Sequence, residues 1–184
     1  MPTAQAFVHD GNWDGETDSN QAMKFMGNYT RNYVDNRDFM KADAKIFDKW
    51  HTKDFVFQKS DGTRTSGADD TTKALQEVYA IFSGGHKHRP TSLACWEEKD
   101  GSITMFGHAK VYVGFEGHDK TITDDDGDKW NAVMEGGFRF WYVKDESGVD
   151  GIKIKETRIY ADPMPAIGYA LKNGILSPKD LGLA

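Results

Sequence analysis

Residues 130–143 read WNAVMEGGFRFWYV, and this stretch decides the fold. Apolar or small residues stand at every second position along it. Because successive side chains of a β-strand point to opposite faces of a sheet, this period predicts a long strand with one buried face. The same period over residues 88–97, 103–115 and 151–161 predicts a meander of four long antiparallel strands.

Helical patterns come before these strands. Apolar residues recur at three- and four-residue spacing over residues 21–33, 39–50 and 69–82, which predicts three helices. A short hairpin is predicted over residues 54–66, between the second helix and the third. Helices on one face of an antiparallel sheet make an α+β domain, and a curved meander wrapped around three helices encloses a cone. The open mouth of such a cone is a natural ligand site.

The chain divides into three predicted regions. Residues 1–19 are polar and are predicted to form a flexible N-terminal arm. Residues 20–162 contain all the predicted helices and strands of the cone. Two prolines end the fourth strand, and residues 163–184 are predicted to form a C-terminal capping helix and tail.

Composition argues against several classes of protein. The 184 residues include 29 acidic and 23 basic side chains without a dense Lys/Arg cluster, so nucleic acid is not an expected partner. No apolar run of about 18 residues predicts a membrane span, and no signal peptide is visible. The single cysteine, Cys95, excludes an internal disulfide and favours a cytoplasmic protein.

Four local features carry a resemblance to a known family. They are the helix-to-strand segment over residues 39–57, Gly67 before the third helix, the Gly-Gly-Phe-Arg-Phe run at 136–140, and the turn and strand over 151–162. In this order they resemble the NTF2-like superfamily of ketosteroid isomerases, scytalone dehydratase and SnoaL-like polyketide cyclases. The resemblance covers about residues 20–162. It implies a cone-shaped α+β barrel that serves enzymes, ligand binders and transport adaptors alike.

Strand alternation selects two charged residues in the fourth strand. Ile152 and Ile154 are predicted core residues, and Glu156 and Arg158 share their face. We therefore expect both charged side chains to point into the cavity near its mouth. There Glu156 can act as an acid or base, and Arg158 can bind an oxyanion or carboxyl group. An ordinary ion pair at the rim is the alternative.

Two histidines stand at the start of the first long strand. His86 and His88 lie on one side of an extended segment, and histidine suits proton transfer near neutral pH. A catalytic histidine of scytalone dehydratase lies at the corresponding place, so the resemblance implies an acid/base role for His88, with His86 as a substrate contact. A solvent-facing loop is the alternative. No metal site is predicted, because no further spaced ligand follows His88.

Tyr33 and Asp35 follow the first helix. Scytalone-dehydratase-like proteins carry a Tyr-Asp pair near this place, so the resemblance implies that Tyr33 orients a substrate oxygen and that Asp35 is a further acid/base candidate. The match is displaced, because Val34 stands where the tyrosine of that pair belongs. A solvent-exposed helix end is the alternative for Asp35. Gly136 and Phe115 replace an aspartate and a second histidine of the family, so those two groups are not carried over.

Aromatic residues are expected to line the cavity and to stack on a flat apolar substrate. The predicted lining residues are Tyr29, Trp50, Phe55, Phe57, Val113, Phe115, Phe138, Phe140 and Tyr160. An ordinary core position is the alternative for each of them. Tyr112, Glu135 and His108 face outward by alternation and are second-line candidates that only a β-bulge would turn inward.

These features favour a cofactor-independent enzyme, of secondary metabolism, that cyclises, isomerises or dehydrates a small hydrophobic or aromatic substrate by proton transfer. One alternative is a non-catalytic module that binds a hydrophobic ligand or a protein. Another is a small subunit of a larger oxygenase. Phe106, Tyr112 and Trp141 are apolar residues of the predicted outer sheet face, and they predict a homodimer through that face.

Overall fold

The computed structural model describes residues 5–41 and 43–182. The α-helices in these ranges are α1 (Gly15–Ser19), α2 (Gln21–Tyr29), α3 (Ala44–Trp50), α4 (Ala68–Tyr79) and α5 (Met164–Lys172). A π-helical turn, Thr30–Asp35, continues α2, and 3-10 turns lie at Asp38–Lys41, Val149–Gly151 and Pro178–Leu181. The strands are β1 (Phe7–Asp10), β2 (His51–Gln58), β3 (Arg64–Ser66), β4 (His86–Glu97), β5 (Ile103–Val113), β6 (Ile122–Thr123), β7 (Lys129–Trp130), β8 (Ala132–Lys144) and β9 (Ile152–Ala161).

Seven strands form one sheet in the order β1-β4-β5-β8-β9-β2-β3. All neighbours are antiparallel except β2 and β9, which are parallel. The predicted meander is confirmed as β4, β5, β8 and β9, each paired with the next. The large curved sheet with its few helices confirms the predicted α+β architecture.

The helices and the inner face of the sheet share one hydrophobic core. In α2, Phe25, Met26 and Tyr29 are buried, because their three- and four-residue spacing places them on one side of the helix. The inner faces predicted for β5 and β8 are confirmed, with Met105 and Tyr142 at most 1 % exposed. Burying a large apolar side chain contributes about 1.5–3 kcal/mol, so this core provides most of the stability of the cone.

A β-bulge at Lys155 interrupts the alternation of β9. Ile154 and Glu156 pair with consecutive residues of β8, so Lys155 has no partner of its own in that ladder. The extra residue shifts the strand by half a period. Thr157 and Ile159 after the bulge are therefore buried, as Ile154 is before it.

The bulge overturns the orientation predicted for three site candidates. Glu156 and Arg158 lie on the outer face of the sheet, so the prediction that they point into the cavity is wrong. Glu156 accepts hydrogen bonds from Arg64 (2.9 Å) and from Arg158 (2.7 Å). Tyr160, predicted to line the cavity, is 50 % exposed on the same outer face.

The N-terminal segment differs from the predicted flexible arm. Strand β1 pairs with β4 at the edge of the sheet, and Asp14 caps α1 through its side chain. Trp13 packs against α2 at Gly27. Residues 7–19 are thus ordered parts of the cone wall, whereas residues 1–4 lie outside the described ranges.

A C-terminal helix, α5, follows the sheet. In α5, Ala166 and Ala170 are buried, and the ring of Tyr169 stacks on Phe115 with centroids 5.4 Å apart. Pro163, just before α5, reaches the mouth of the cone. Among the described residues, none of the helices has the length and apolar character that a membrane crossing needs.

Candidate active site

Two adjoining cavities occupy the interior of the cone. The inner cavity, about 60 Å³, lies between α2, α4 and the concave face of the sheet, with Trp13 in its wall. The outer cavity, about 110 Å³, extends to Pro163. Four residues line both cavities: Tyr79, His88, Phe138 and Ile159. We call these four residues the shared wall. The imidazole of His88 and the phenol of Tyr79 therefore border both cavities.

His88 and Asp35 form a hydrogen-bonded pair at the shared wall. His88 is 9 % exposed, and its Nδ1 lies 2.7 Å from Oδ1 of Asp35. The backbone N–H of His88 donates to both carboxylate oxygens of Asp35 at 3.2 Å. Because an ionised carboxylate only accepts, Nδ1 carries the proton of the neutral ring and Nε2 keeps its lone pair. His88 can therefore act as a base through Nε2, while the hydrogen bond from Nδ1 to Asp35 orients its ring.

The π-helical turn Thr30–Asp35 positions both histidines. It brings the carboxylate of Asp35 to His88, and the carbonyl of Val34 accepts a hydrogen bond from Nε2 of His86 at 3.0 Å. π-Helical turns are rare, and they are frequent at functional sites. Their wider winding rotates the following side chains relative to a regular α-helix.

Tyr79 completes the polar part of the shared wall. Its hydroxyl lies 3.3 Å from Nε2 of His88. Burial raises the pKa of Tyr79, and the charge of Asp35 acts in the same direction. The phenol is therefore protonated at neutral pH, so it donates to Nε2 of His88 or to a substrate oxygen that takes the place of Nε2.

His86 is a buried neutral side chain. Burial lowers its pKa to about 2, with smaller contributions from His88 and Arg37. Its ring stacks on Tyr79 with centroids 4.2 Å apart, and its Nδ1 has no hydrogen-bond partner among the described residues. His86 lines neither cavity, so it does not have the position predicted for a substrate contact. It packs behind Tyr79 and helps to fix the position of that ring.

Spacing would allow a metal ion at three groups of side chains within the described ranges. They are Asp35–His86–His88, His9–Asp14–Glu16 and Asp124–Asp126–Asp128, each with ligand atoms within 4.8 Å of one another. In the third group the ammonium of Lys87 already lies 2.8 Å from Asp124 and 2.9 Å from Asp126. In the first group the carboxylate is engaged with His88, as described above. The first group is thus better suited to moving a proton than to holding an ion.

Comparisons with known proteins find similarity in structure rather than in sequence. No protein-family model and no curated protein matches the chain. Aln2 from a Streptomyces species matches with a TM-score of 0.59 at 16% identity, over 85% of this chain and 99% of that chain. ActVI-ORFA from Streptomyces coelicolor matches with a TM-score of 0.54 at 18% identity, over 77% and 95%. A candidate scytalone dehydratase from Novosphingobium aromaticivorans matches with a TM-score of 0.56 at 11% identity, over 77% and 82%.

The chain has the NTF2-like fold. The fold implied by the resemblance in the sequence is confirmed. At these identities the likeness concerns the fold, and an NTF2-like fold carries unrelated activities. The function therefore has to be argued from the site.

Within this NTF2-like cone, some of the residues predicted to line the cavity do so and others do not. Tyr29, Phe57, Phe138 and Phe140 line the inner cavity. Trp50, Phe55, Val113 and Phe115 are buried but line neither cavity, so they are core residues. The strand period identifies the inner face, and it does not tell which inner residues border empty space.

Tyr33 lies away from the shared wall. Its ring packs in the core between Tyr29 and His51, with centroids 5.1 Å from each. Its side chain borders a separate groove between α3 and α4 that also includes Asp38. The predicted contact of Tyr33 with a substrate in the central cavity is therefore not supported by its position.

Two of the three second-line candidates, Glu135 and Tyr112, keep the outward positions that alternation predicts, and His108 does not. Glu135 is exposed, and Tyr112 is covered from outside by Trp130 of β7, with centroids 6.3 Å apart. His108 reaches the edge of the inner cavity beside a bulge of β4, where its Nδ1 lies 2.8 Å from Oγ1 of Thr91. Only His108 among the three is near the site.

Sequence reasoning missed three residues to which the candidate site and its ligand cavity owe their polar character: Tyr79, Thr157 and Trp13. Tyr79 stands four residues after Leu75 and three before Phe82, so the helical period already placed it on the buried face. Thr157 follows the unpredicted bulge in β9, and Trp13 lies in the segment predicted to be an arm. The sequence signal existed for Tyr79, whereas Thr157 and Trp13 depend on tertiary structure.

Proposed function

We propose that this protein is a cofactor-independent enzyme that moves a proton on a small, largely apolar substrate. His88 is the acid/base group, Asp35 orients it, and Tyr79 donates a hydrogen bond to a substrate oxygen. The proposal rests mainly on the 2.7 Å contact between Nδ1 of His88 and Oδ1 of Asp35 at the wall of an apolar cavity. The reaction class is a dehydration, isomerisation or cyclisation.

The chemistry follows from the orientation of the imidazole. Nε2 of His88 takes a proton from carbon or oxygen of the substrate, and the bonding electrons move toward a carbonyl or a leaving hydroxyl. Asp35 stabilises the imidazolium through Nδ1–H. His88 then returns the proton, to another atom in an isomerisation or to the leaving hydroxyl in a dehydration, so no proton is consumed overall. General acid–base catalysis of this kind contributes about 100- to 10,000-fold.

The fold comparison agrees with this reaction class. One of the similar structures is a candidate scytalone dehydratase, a name that states a dehydration. The aromatic lining of the inner cavity, with Phe57, Phe138 and Phe140, suits an aromatic or polycyclic substrate.

Exchange of carbon-bound protons tests the proposal without knowledge of the natural substrate. 2-Tetralone in D₂O is incubated with the protein, and loss of its α-proton signals is followed by NMR. We expect exchange faster than in buffer, loss of that acceleration in His88→Gln, and full acceleration in Glu156→Gln, a matched change on the outer face. Equal exchange by the unmodified protein and by His88→Gln would overturn the proposal.

A homodimer through the outer sheet face is a second part of the proposal. Val8, Phe106 and Tyr160 are 63%, 43% and 50% exposed on β1, β5 and β9. Val8 pairs with Ala94, and Ala94 pairs with Phe106, so the first two residues belong to one row across the sheet. Sedimentation should show a dimer that Phe106→Lys dissociates, and a monomer at all concentrations would contradict it.

A protein that binds 2-tetralone without exchanging its protons would favour the alternative of a non-catalytic binding module.

A further inference from the structure

Thr157 places a buried hydroxyl in the wall of the inner cavity. The side chain is turned inward by the bulge at Lys155, and the residue is 6% exposed. Its backbone neighbours in the sheet are Phe57 of β2 and Phe140 of β8, which also line the inner cavity. Oγ1 of Thr157 has no hydrogen-bond partner among the residues that the structure describes. Buried polar groups without a partner are rare, because each one is destabilising.

Trp13 contributes a second such group to the same cavity. Its indole lines the inner cavity, and its Nε1 is buried without an acceptor in the described part of the chain. Indole nitrogen only donates, so the partner that would satisfy it is an acceptor such as a carbonyl or hydroxyl oxygen.

The remaining lining limits the charge of a ligand. Among the described residues that border the inner cavity there is no Lys, Arg, Asp or Glu. His88 and His108 also border the cavity, but neither carries a permanent charge. A carboxylate or ammonium group placed there would therefore lose its hydration without gaining a fixed opposite charge, which is unfavourable. The cavity therefore suits an uncharged ligand.

We propose that Thr157 and Trp13 bind an oxygen substituent of an uncharged substrate and so orient it in front of His88. The inference rests on the proposed function, because it concerns the ligand of the same site. It adds two specificity-determining residues that act by hydrogen bonding. The substrate class is a neutral, mostly apolar molecule with a carbonyl or hydroxyl oxygen directed into the inner cavity.

A pair of probes with the same shape separates hydrogen bonding from apolar contact. Acetophenone carries C=O where α-methylstyrene carries C=CH₂, and benzoate supplies a negative charge. Binding is titrated by NMR on the indole N–H signals, with that of Trp13 identified by its loss in Trp13→Phe. We expect acetophenone to bind more tightly than α-methylstyrene and benzoate, and to shift the Trp13 signal.

The variants assign the preference to its residues. In Thr157→Val and Trp13→Phe we expect acetophenone to bind about 2- to 10-fold more weakly, which is the effect of one neutral hydrogen bond, with α-methylstyrene unchanged. Thr65→Val is the matched control, because Oγ1 of Thr65 is also buried without a described partner but lies outside both cavities. Thr157→Val should fold normally, since it removes an unsatisfied hydroxyl without changing shape.

The outcomes separate this inference from the proposed function. Equal affinity for acetophenone and α-methylstyrene, tighter binding of benzoate, no saturable binding of any probe, or an unchanged preference in both variants would overturn the inference. Loss of the preference in Thr157→Val would support it whether or not the protein exchanges the protons of 2-tetralone. Failure of proton exchange alone would remove the catalytic role of His88 and leave the binding role of Thr157 in place.

Discussion

Asp35 holds His88 at two points, since its carboxylate accepts from Nδ1 of the ring at 2.7 Å and from the backbone N–H at 3.2 Å. The two contacts fix the position of the residue and the tautomer of its ring. In Asp35→Asn the amide keeps the shape but no longer offsets the charge of the imidazolium. We expect kcat to fall about 100- to 10,000-fold. Because Asp35 lines neither cavity, KM should change little.

The amount of folded protein has to be measured alongside kcat in that variant. If Asp35 acted only by holding the fold together, Asp35→Asn would lower the fraction of folded enzyme, which circular dichroism measures, and leave the kcat of the folded fraction unchanged. A normal kcat per folded molecule in Asp35→Asn would contradict the role given to this residue.

Tyr79 should affect turnover more than stability. Tyr79→Phe removes the hydroxyl that lies 3.3 Å from Nε2 of His88 and keeps the ring that stacks on His86. We expect kcat to fall about 10- to 100-fold, in line with the loss of one hydrogen bond to a partner that carries or develops charge. Tyr169→Phe serves as the control, because its hydroxyl bonds to Asn131 outside both cavities. A similar loss of kcat in both variants would argue against a specific role of Tyr79.

Buried neutral histidines should make the protein sensitive to acid. His51 accepts a hydrogen bond from Tyr29 at Nε2 (3.0 Å) and donates from Nδ1 to the carbonyl of Phe47 (3.2 Å). Burial lowers the pKa of His51 to about 3, and that of His86 to about 2. The unfolded chain takes up these protons near pH 6.5, so their contribution to stability is complete above that pH and is lost as pH falls toward 3.

Urea unfolding between pH 4 and pH 7 measures this effect. Each buried histidine should contribute a slope of about 1.4 kcal/mol per pH unit in the free energy of unfolding below pH 6. His51→Phe should reduce the slope by that amount, even though it also destabilises the protein at pH 7 by leaving the Tyr29 hydroxyl without its acceptor. An identical slope in the unmodified protein and in His51→Phe would contradict the lowered pKa of His51.

The fold was predictable from local patterns because the two central strands of the meander, β5 and β8, pair without a register shift. The alternation in β5 and β8 identified their inner faces correctly, because the ladder between these two strands contains no bulge. The alternation failed in β9 after Lys155. A single inserted residue leaves no signature in the composition. The regular alternation therefore predicted Glu156 on the inner face, where the structure has Thr157.

Two of the three polar residues of the candidate site, His88 and Asp35, were candidates from the sequence, but their contact was not predictable. The family resemblance pointed to both His88 and Asp35, but the two residues stand 53 positions apart. Their contact depends on the π-helical turn that ends at Asp35, and a π-helical turn has no periodic signal in the sequence. The position of Trp13 in the cavity wall could not be predicted for a different reason. It depends on the pairing of β1 with β4, which is a long-range contact.

Glu156 should prove to be a surface residue. Its ion pairs with Arg64 and Arg158 lie on the outer face, where solvent screens them. Glu156→Gln should change the free energy of unfolding by about 1 kcal/mol or less and leave kcat unchanged. Thermal unfolding and the exchange assay with 2-tetralone measure both quantities. A loss of turnover in Glu156→Gln comparable to that in Asp35→Asn would mean that β9 has the regular alternation predicted from the sequence.

The N-terminal wall of the inner cavity should loosen as pH rises. His9 is buried, with Nε2 at 3.0 Å from the carbonyl of Asn12 and Nδ1 at 3.2 Å from Glu16. Burial by itself lowers the pKa of His9, but the hydrogen bonds to Asn12 and Glu16 and the charge of Asp14 together raise it above the ordinary value of 6.5. The folded segment therefore favours the protonated ring. Its stabilising effect is complete below pH 6.5 and is lost as pH rises through the higher pKa of the folded state.

Hydrogen exchange of the β1 amides, Phe7–Asp10, reports on this segment directly. After correction for the intrinsic rate, protection should decrease from pH 6 to pH 8.5, because deprotonation of His9 removes its attraction to Glu16 and Asp14. In His9→Gln the protection should be lower at pH 6 and should no longer depend on pH. Since Trp13 follows β1 and lines the inner cavity, the affinity for acetophenone should decrease over the same range. Protection of β1 that is constant or rises with pH would contradict the protonated state of His9.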